Sequence, residues 1–372
     1  MPMSLDRFCR GLFLELKAEG YEVVAVSSPG PELQAIAARE AVKTYAVPME
    51  RHISLFRDVI SLWRMYSVFR KEKPDLVHSI TPKAGLLSMI AAWLARVPVR
   101  VHTFTGLVFP TASGFKRTLL KTTDRLTCLF ASHIVSEGQG VKSDLESNGI
   151  TGKPLTILGN GSLCGVDTGW FSPDAPEVVA AAAQKSADVF TYVCVGRLVG
   201  DKGINELVEA FVKVNAANPN TRLMLVGDME EALDPLSATT LEKIENCKAI
   251  RRVDFQNDVR PWLAQADVLV LSSYREGFPN VVLEANAIGI PAIVTDINGA
   301  NEIVDKGVTG LVVPPKSADA LCDAMLEMLS NRSELPEMGA KARKRVDRLY
   351  NQPFVRSCLK EYYKKLSADI KK

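Results

Sequence analysis

Short runs of β-branched and other apolar residues alternate with helical patterns along the whole chain of 372 residues. Most of these runs are apolar almost throughout, as in strands that are buried on both faces of a sheet. The alternation predicts α/β domains in which helices cover parallel sheets. The predicted strands form two series, at residues 22–28, 44–48, 75–80, 99–105, 133–138 and 155–161, and at residues 191–196, 222–228, 249–255, 267–273, 291–297 and 310–314.

The two series predict two doubly wound, Rossmann-like domains. They are separated by residues 160–177, which are rich in Gly, Ser, Asp and Pro and therefore typical of a domain boundary. We predict a first domain over 1–165, a second over 166–352, and a C-terminal helix at 353–372 that packs back on the first. Because open α/β sheets bind ligands beyond the carboxyl ends of their strands, two such domains facing each other would share a cleft.

Composition and charge restrict the class of protein. A chain with 47% hydrophobic and 24% charged residues is globular. Its seven cysteines are scattered without a Cys-x-x-Cys pair, which predicts neither a disulfide framework nor a zinc site and fits a reducing cytosol. No signal peptide is predicted, because Arg10 and Glu15 interrupt the first apolar stretch. Residues 1–165 carry a net charge of +6, which suits an anionic partner, but no nucleic-acid-binding pattern is present.

Two carboxylates flank a turn in the segment SYREGFPNVVLEANAIGIP, residues 273–291. Glu276 follows a buried strand, whereas Glu284 lies in a predicted helix with Pro279 at its first position. The free N–H groups at such a helix start bind phosphate. A carboxylate, a phosphate site and a second carboxylate in this order fit the sugar, diphosphate and ribose of a nucleotide sugar. A solvated pair of glutamates around an ordinary turn would have the same spacing.

A second loop of the same half contains two cations. The segment VGRLVGDKGINELVEAF, residues 195–211, places Arg197 and Lys202 between a predicted strand and a predicted helix. Two cations at the carboxyl end of a strand would stabilise a departing diphosphate. A charged turn without function is the alternative interpretation.

These two elements, in this order, resemble the retaining GT-B glycosyltransferases. The chain is most similar to glycosyltransferase family 4 and to its subgroup that builds bacterial surface polysaccharides on lipid-diphosphate carriers. The GFPN sequence between the two glutamates is the most specific part of the resemblance. The similarity covers nearly the whole chain and includes KPDLVHSITPKAGLL (73–87), GNGSLCGVDTGWFSP (159–173) and GVTGLVVPPKSADAL (307–321).

The resemblance implies a GT-B fold and a nucleotide-sugar donor, with uridine as the base, and no cofactor. Arg197 and Lys202 would bind the donor diphosphate, Glu276 would hold the transferred sugar near the reacting carbon, and Glu284 would bind the ribose hydroxyls. Backbone N–H groups of the segment from Gly277 to Val281, which includes Phe278 and Asn280, would line the donor site. No Asp-x-Asp pattern stands at a strand end, so we also predict that no metal is bound.

The first half contains two candidates for the acceptor side, His78 and Lys83, and a third residue, His102, that is a candidate catalytic residue with Glu276. His102 ends a predicted strand, and the resemblance implies that it reaches the cleft near the transferred sugar; a buried core histidine is the alternative. His78 and Lys83 lie at the end of the preceding predicted strand and in its loop. Lys83 could bind a phosphate of the acceptor or could be a solvated loop residue.

Two helices of the first half are predicted to be basic and amphipathic, at residues 53–75 and 115–130. In the first of them, apolar residues at 53, 56, 60, 63 and 66 form a stripe that predicts a face packed on the core. Together with the basic first half, these helices are also compatible with a peripheral position on an anionic membrane surface.

The chain departs from the resemblance at three places. Gly200 occupies a position where relatives often have a charged residue, and Cys164 interrupts the sequence before the second domain. Residues 4–20 predict a first helix with Ser4 as its N-cap. In the doubly wound order 3-2-1-4-5 such a helix follows a central strand, so we expect a β-prone segment upstream of Met1.

The leading hypothesis is a retaining transferase that moves a hexose-type sugar from a nucleotide diphosphate to a lipid-diphosphate-linked acceptor, in the cytoplasm at the inner face of the membrane. A nucleotide-sugar epimerase with the same architecture is a second hypothesis, and it would need no acceptor. A sugar-nucleotide-binding protein without turnover is a third.

Overall fold

A computed structural model describes residues 2–50, 54–230 and 234–370. The chain forms two compact units, the first made of Met1–Cys164 and Val355–Lys372 and the second of Gly165–Phe354. Ile53 of the predicted stripe and residues 371–372 of the predicted C-terminal helix lie outside the described residues, as does Met1.

Each of the twelve predicted strands is present. Several strands were predicted to extend too far at their C-terminal ends, because the polar residues that follow a strand belong to the loop beyond it. The strands are β1 (Val24–Ser27), β2 (Lys43–Ala46), β3 (Leu76–Ser79), β4 (Val99–Phe104), β5 (His133–Ser136), β6 (Leu155–Thr156), β7 (Phe190–Val195), β8 (Thr221–Val226), β9 (Ile250–Val253), β10 (Val268–Leu271), β11 (Ala292–Thr295) and β12 (Gly310–Val313).

Helices connect most of these strands, as the alternation in the sequence predicts. They are α1 (Pro2–Cys9), α2 (Leu12–Ala18), α3 (Pro31–Glu40), α4 (Leu55–Glu72), α5 (Pro82–Leu94), α6 (Gly114–Phe130), α7 (Gly138–Ser147), α8 (Pro176–Ala182), α9 (Ile204–Ala217), α10 (Ala238–Asn246), α11 (Arg260–Ala264), α12 (Asn280–Ile288), α13 (Ala300–Ile303), α14 (Ala318–Ser330), α15 (Leu335–Leu349) and α16 (Gln352–Ile370).

The second unit is built on one parallel sheet with the order β12-β11-β10-β7-β8-β9. Alternate residues of β10 point to opposite faces: Val268 and Val270 pack in the core beside α9 and α14, whereas Leu269 and Leu271 pack in the core beside α12 and α15. Both faces of β10 are therefore buried, which explains why this strand is apolar without interruption.

The described strands of the first unit form two parallel sheets, β1-β2 and β3-β4-β5-β6. Val24 pairs with Lys43 in the smaller sheet, and Leu76 pairs with Val99 in the larger one. Within the described residues, β1 and β3 each have one strand neighbour. The expectation of a further strand upstream of Met1 stays a prediction.

Helix α16 packs along the first unit. Leu359 joins the core formed by Leu12, Phe13 and Leu16, and Leu366 contacts the core at Val101. These apolar contacts cover side chains of α2 and β4 that would otherwise face water.

The N-terminal helix differs from the prediction. It begins at Pro2, so Ser4 lies inside it and is not its N-cap. The predicted single helix is also divided in two, because Gly11 adopts a left-handed conformation with φ 76° and its N–H donates to the Glu40 carboxylate at 2.7 Å. Glycine populates that conformation without a steric penalty, which permits the break.

The orientation of α4 also differs from the prediction. The predicted stripe should pack on the core, but Phe56, Ile60 and Trp63 are exposed, and Met65 and Phe69 are buried instead. Periodicity alone gives an apolar stripe without saying whether the core or another surface covers it. No helix among the described residues has the length and apolar character needed to cross a membrane.

Candidate active site

In the sheet of the second unit, the direction in which successive strands are added reverses between β7 and β10. From β7 the chain continues through β8 and β9 on one side, and from β10 it continues through β11 and β12 on the other. β7 and β10 are parallel neighbours, with Val268 beside Tyr192. In open α/β sheets the ligand binds beyond the carboxyl ends of the strands at this switch point. The two loops singled out from the sequence follow these two strands.

Several hydrogen bonds join the two loops. The Ser272 hydroxyl donates to the Lys202 carbonyl oxygen at 2.9 Å, and the Tyr274 N–H donates to the Asp201 carbonyl oxygen at 2.9 Å. The Arg275 guanidinium donates to the Asp201 carboxylate at 2.5 Å. These bonds fix the position of the β7–α9 loop relative to the β10–α12 loop.

The side chains of Glu276 and Lys202 meet at this junction. The Lys202 ammonium donates to Glu276 Oε1 and forms an ion pair with it. The Ser273 hydroxyl donates to the same oxygen at 2.8 Å. Both members of the ion pair are largely buried, so their attraction is screened less than that of a surface pair. The structure thus brings together two residues that lie 74 positions apart in the sequence.

Arg197 lies in the same loop as Lys202 but is half-exposed. Its guanidinium forms an ion pair with Glu230, in the segment that follows β8. Both predicted diphosphate-binding cations are therefore paired with a carboxylate. An arriving diphosphate would compete with Glu276 for Lys202 and with Glu230 for Arg197.

The β10–α12 loop leads directly into the start of α12. Pro279 occupies the N-cap position with ψ 103°, one residue before the position predicted for it, and the helix begins at Asn280. The last residue of the helix is Ile288, and Gly289 with φ 95° is its C-cap, so the helix stops at the predicted glycine. The first N–H groups of any helix lack partners inside it, so this turn offers donors at the carboxyl edge of the sheet.

The predicted donor-site segment differs in accessibility from residue to residue. Gly277 and Phe278 are buried, and the Phe278 ring packs 5.3 Å from the ring of Tyr350. Asn280, Val281 and Glu284 are partly exposed. Asn280 and Glu284 are four positions apart on α12, so they share one face of the helix.

Two glycines that the sequence analysis did not single out support the site. Gly203 has φ 66°, and a Cβ there would lie 1.9 Å from the Ser272 carbonyl oxygen. Gly299, in the loop after β11, has φ 74°, and a Cβ there would lie 2.0 Å from the Gly277 carbonyl oxygen. Only glycine permits these approaches. Each glycine follows a predicted strand, but its contact partner is distant in sequence.

Replacing Gly203 by alanine should separate the two loops. We expect Gly203→Ala to lower both the melting temperature and turnover more than Gly289→Ala does. Both positions are left-handed, which costs alanine about 1–2 kcal/mol. A Cβ at Gly289 would meet no atom within 4 Å, whereas a Cβ at Gly203 would collide with a carbonyl oxygen. Thermal unfolding and initial rates of the two variants test this expectation, and equal losses in both would contradict it.

The candidates of the first unit are less accessible than predicted. His102 lies inside β4 and not at its end, is 1% exposed and hydrogen-bonds with Ser79 Oγ at 2.8 Å. Burial lowers the pKa of His102 to about 3 and that of His78 to about 4. The His78 ring contacts Thr103 Oγ1 at 2.7 Å and Tyr363 Oη at 2.5 Å. Both imidazoles are therefore neutral near pH 7.

Lys83 lies at the start of α5. Its ammonium is 2.6 Å from the Asp58 carboxylate, and its side chain is largely buried. This ion pair joins the start of α5 to the start of α4, so Lys83 has a structural contact in addition to the acceptor role predicted for it.

Comparison with known proteins identifies the family. The chain is 32% identical over 357 residues to the capsular polysaccharide biosynthesis glycosyltransferase CapM of Staphylococcus aureus, and the match covers 95% of this chain and 92% of that protein. The family described as Glycosyl transferases group 1 matches residues 180–345, and the Glycosyl transferase 4-like domain matches residues 5–161. The chain belongs to the group 1 glycosyltransferases. Both loops of the candidate site lie inside the first of these matches.

Another relative agrees with this assignment. This chain is 29% identical over 310 residues to the UDP-Gal:alpha-D-GlcNAc-diphosphoundecaprenol alpha-1,3-galactosyltransferase of Escherichia coli. The match covers 79% of this chain and 76% of that enzyme.

Solved structures show the same fold at low sequence identity. Sucrose-phosphate synthase from Thermosynechococcus elongatus superposes with a TM-score of 0.79 at 22% identity, over 98% of this chain and 94% of that one. Anabaena HepE, solved with UDP, superposes with a TM-score of 0.77 at 17% identity, over 96% and 97% of the two chains. The architecture of this group 1 glycosyltransferase is the two-domain α/β fold called GT-B, as the sequence predicted.

Proposed function

We propose that the protein is a retaining glycosyltransferase that moves a sugar from a UDP-sugar to a lipid-diphosphate-linked saccharide during surface polysaccharide synthesis, at the cytoplasmic face of the membrane. The contact between Lys202 and Glu276 at the switch point carries the proposal. In this proposal Lys202 binds the diphosphate and the adjacent Glu276 binds sugar hydroxyls. The diphosphate and the sugar are the two groups on either side of the bond that is broken in a nucleotide sugar.

In this proposal the second unit binds the donor. Lys202 and Arg197 bind the diphosphate, and the backbone N–H groups at the start of α12 donate to its oxygens. Glu276 accepts hydrogen bonds from the transferred sugar, and Glu284 accepts them from the ribose. The names of two similar proteins support a UDP-sugar, because the Escherichia coli relative is named for UDP-galactose and HepE was also solved with UDP-glucose.

The proposed transfer breaks the bond between the sugar's anomeric carbon and the diphosphate oxygen. A hydroxyl of the acceptor forms the new bond on the same face of the sugar, and its proton passes to the departing diphosphate. No separate carboxylate nucleophile is assigned. The positive charge of Lys202, of Arg197 and of the helix start stabilises the leaving group as its charge develops.

In this proposal the first unit binds the acceptor. The Escherichia coli relative is named for an acceptor on diphosphoundecaprenol, which supports a lipid-diphosphate carrier. Lys83 is the candidate for a phosphate of that carrier. His78 and His102 are candidates for contacts with the sugars, and the burial of His102 between Gly85 and Phe104 means that its ring must be uncovered before it can make such a contact.

A panel of nucleotide sugars tests the donor. UDP-, GDP- and ADP-sugars are compared by thermal shift, and a ligand at 100 times its dissociation constant adds about 2.7 kcal/mol to the stability of the native state. We expect UDP-sugars to give the largest shift. The best donor is then incubated with a synthetic lipid-diphosphate saccharide, and a new glycoside that keeps the donor's anomeric configuration supports the proposal.

The same incubation distinguishes the alternatives. An epimerase would convert the free nucleotide sugar into its epimer without an acceptor, and a binding protein would shift in melting temperature without forming any product. An inverted glycosidic bond would contradict retention.

We also predict that the reaction needs no metal ion. Lys202, Arg197 and the start of α12 already supply positive charge for the diphosphate, so a divalent cation has no necessary place there. Turnover should be unchanged after dialysis against EDTA and after addition of Mg²⁺ or Mn²⁺. Activity that EDTA removes and Mg²⁺ or Mn²⁺ restores would overturn this prediction.

A further inference from the structure

Four apolar side chains of α4 form a continuous exposed surface. Phe56 is 79% exposed, Val59 64%, Ile60 39% and Trp63 68%. Their spacing of i, i+3, i+4 and i+7 places them on one face of the helix. We call these four residues the α4 stripe. Isolated exposed apolar residues are ordinary, but a contiguous stripe of four with two large aromatic rings calls for a partner.

The α4 stripe does not contribute to the core of the first unit. The opposite face of α4 does so through Ser61, Met65 and Phe69, which are buried. Ser61 donates to the Pro48 carbonyl oxygen at 2.5 Å, and Ser88 of α5 donates to the Met65 sulfur at 3.1 Å. The helix is therefore held by one face, and the other face is free to contact something outside the unit.

Basic side chains border the α4 stripe. Arg57, Arg64, Arg70 and Lys71 are all exposed on α4. The two acidic residues of the helix are held by cations, Asp58 by Lys83 at 2.6 Å and Glu72 by Lys43 at 2.8 Å. Arg57 forms an ion pair with Glu50, which precedes the helix, so Arg64, Arg70 and Lys71 supply the remaining positive charge beside the stripe.

A further exposed aromatic residue with basic neighbours lies at the start of α6. Phe115 is 82% exposed, and Lys116 and Arg117 beside it are also exposed. Helix α5 packs against both α4 and α6, so the three helices form one layer. In parallel α/β units a helix starts near the carboxyl end of the strand before it. The stripe follows β2 and Phe115 follows β4, so each lies towards the carboxyl ends of the strands of its sheet, where ligands bind.

We propose that the α4 stripe and its basic border form a membrane-binding surface that inserts Phe56 and Trp63 into the interfacial region of an anionic bilayer. Amphipathic helices of this kind lie in the plane of the interface, with apolar residues in the boundary between headgroups and acyl chains and with Lys and Arg near anionic lipids. Aromatic side chains, Trp above all, are enriched at that depth.

The charge favours a bilayer over a second copy of this chain. A symmetric dimer through the stripe would bring the same surface of both copies together, so the basic border of one copy would lie against the surface that carries the basic border of the other. Like charges brought together across an interface oppose association. An anionic bilayer has the complementary charge.

This inference deepens the proposed function and rests on it for the lipid-linked acceptor. A surface at this edge of the first unit would hold the acceptor-binding side close to a lipid-linked substrate. Membrane binding can be measured without any turnover, and donor binding by the second unit can be measured without any membrane.

The test is co-sedimentation with sucrose-loaded vesicles of two compositions, phosphatidylcholine alone and an equal mixture of phosphatidylcholine and phosphatidylglycerol. We expect the wild-type protein to sediment with the anionic vesicles, and less so as salt rises, because salt screens the electrostatic part. Phe56→Ser with Trp63→Ser should weaken the partition coefficient about tenfold or more. Arg64→Glu with Arg70→Glu should weaken it about as much, since each basic residue near the surface contributes roughly a fivefold effect.

Matched controls lie elsewhere on the surface. Leu14→Ser with Val179→Ser removes two exposed apolar side chains outside the stripe, and Lys248→Glu with Lys344→Glu reverses two exposed charges of the second unit. Both control proteins should bind the anionic vesicles as the wild type does. Melting temperatures and UDP-dependent thermal shifts of all variants should match those of the wild type, because the changed side chains are exposed.

Three results would overturn the inference. The wild-type protein could fail to bind anionic vesicles, the stripe variant could bind them as tightly as the wild type, or the controls could weaken binding equally. A wild-type dimer in solution that the stripe variant converts to monomer, without vesicle binding, would assign the surface to a second copy instead. If Phe56→Ser with Trp63→Ser does not fold, the charge-reversal pair alone still decides between a bilayer and no bilayer.

Discussion

Glu276→Gln should lower the turnover number about 10²–10³-fold and leave UDP binding within about threefold of the wild type. The size of this effect follows from losing one group that is positioned for the transition state. The amide keeps the shape of the side chain but loses its negative charge, and with it the ion pair to Lys202 and the strong acceptor for sugar hydroxyls. The donor's diphosphate still finds Lys202, Arg197 and the start of α12, so binding of the nucleotide persists.

Initial rates at saturating donor and calorimetric titration with UDP measure the two effects separately. Glu337→Gln is the matched control, because Glu337 is exposed on α15 and pairs with Lys341 four residues away. Its turnover should equal that of the wild type. Wild-type turnover in Glu276→Gln would remove this carboxylate from the mechanism, and a loss of UDP binding equal to the loss of rate would make its role structural.

Lys202→Ala should weaken UDP binding about 10–100-fold, and Arg197→Ala should weaken it less. A hydrogen bond to a charged group contributes about 1.5–3 kcal/mol, which corresponds to that range in dissociation constant. Lys202 is the more buried of the two cations, and its removal also leaves Glu276 without a counter-charge beside the bound diphosphate. Arg197 is half-exposed, so solvent and salt screen its contribution.

Uridine provides the internal control for both cations. It lacks the diphosphate, so its weaker binding should be the same in Lys202→Ala, Arg197→Ala and the wild type. Lys213→Ala is the matched protein control, because Lys213 lies on α9 beyond the loop and pairs with Asp319 at 2.7 Å. If Lys202→Ala weakened the binding of UDP and of uridine equally, the substitution would have disturbed the loop as a whole, and the effect could not be assigned to a lost contact with the phosphates.

The order of strands and helices could be read from the sequence because parallel sheets leave a strong local pattern. Most strands of the second unit are largely apolar, as in Val268–Leu271, and are followed by loop residues and a helix. The edge strand β9 differs, because Arg251 and Arg252 are exposed on it. Pro279 and Gly289 limit α12 through their own backbone preferences, so the ends of that helix were predictable to within one residue. The position of both site loops at the ends of strands was predictable for the same reason.

Contacts between distant parts of the chain were not predictable in this way. The meeting of Lys202 with Glu276 depends on β7 and β10 being neighbours, which follows from strand order and not from either loop. The close approach of Gly299 to Gly277 depends on the same packing. His102 illustrates the limit for a single side chain: a histidine near a strand end and a buried histidine within the strand have the same sequence signal.

The stripe on α4 shows the corresponding limit for periodicity. The sequence predicts that one face of the helix is apolar, and that is so, but the face packed on the core is formed by Ser61, Met65 and Phe69. A helical pattern gives the angles between side chains and not the identity of the surface that covers them.

The first unit is completed by the last helix of the chain, and this affects how the protein is made. Residues from Val355 onward belong with residues up to Cys164, and about 190 residues of the second unit are synthesised between them. At about 5–20 residues per second, a ribosome needs roughly 10–40 s for that stretch. During this interval Leu12, Phe13 and Leu16 have been synthesised, but Leu359, which completes their core, has not. The second unit, continuous in sequence, can fold as it emerges, so the nascent chain spends that time with its first-made half unfinished and is a natural client for a chaperone.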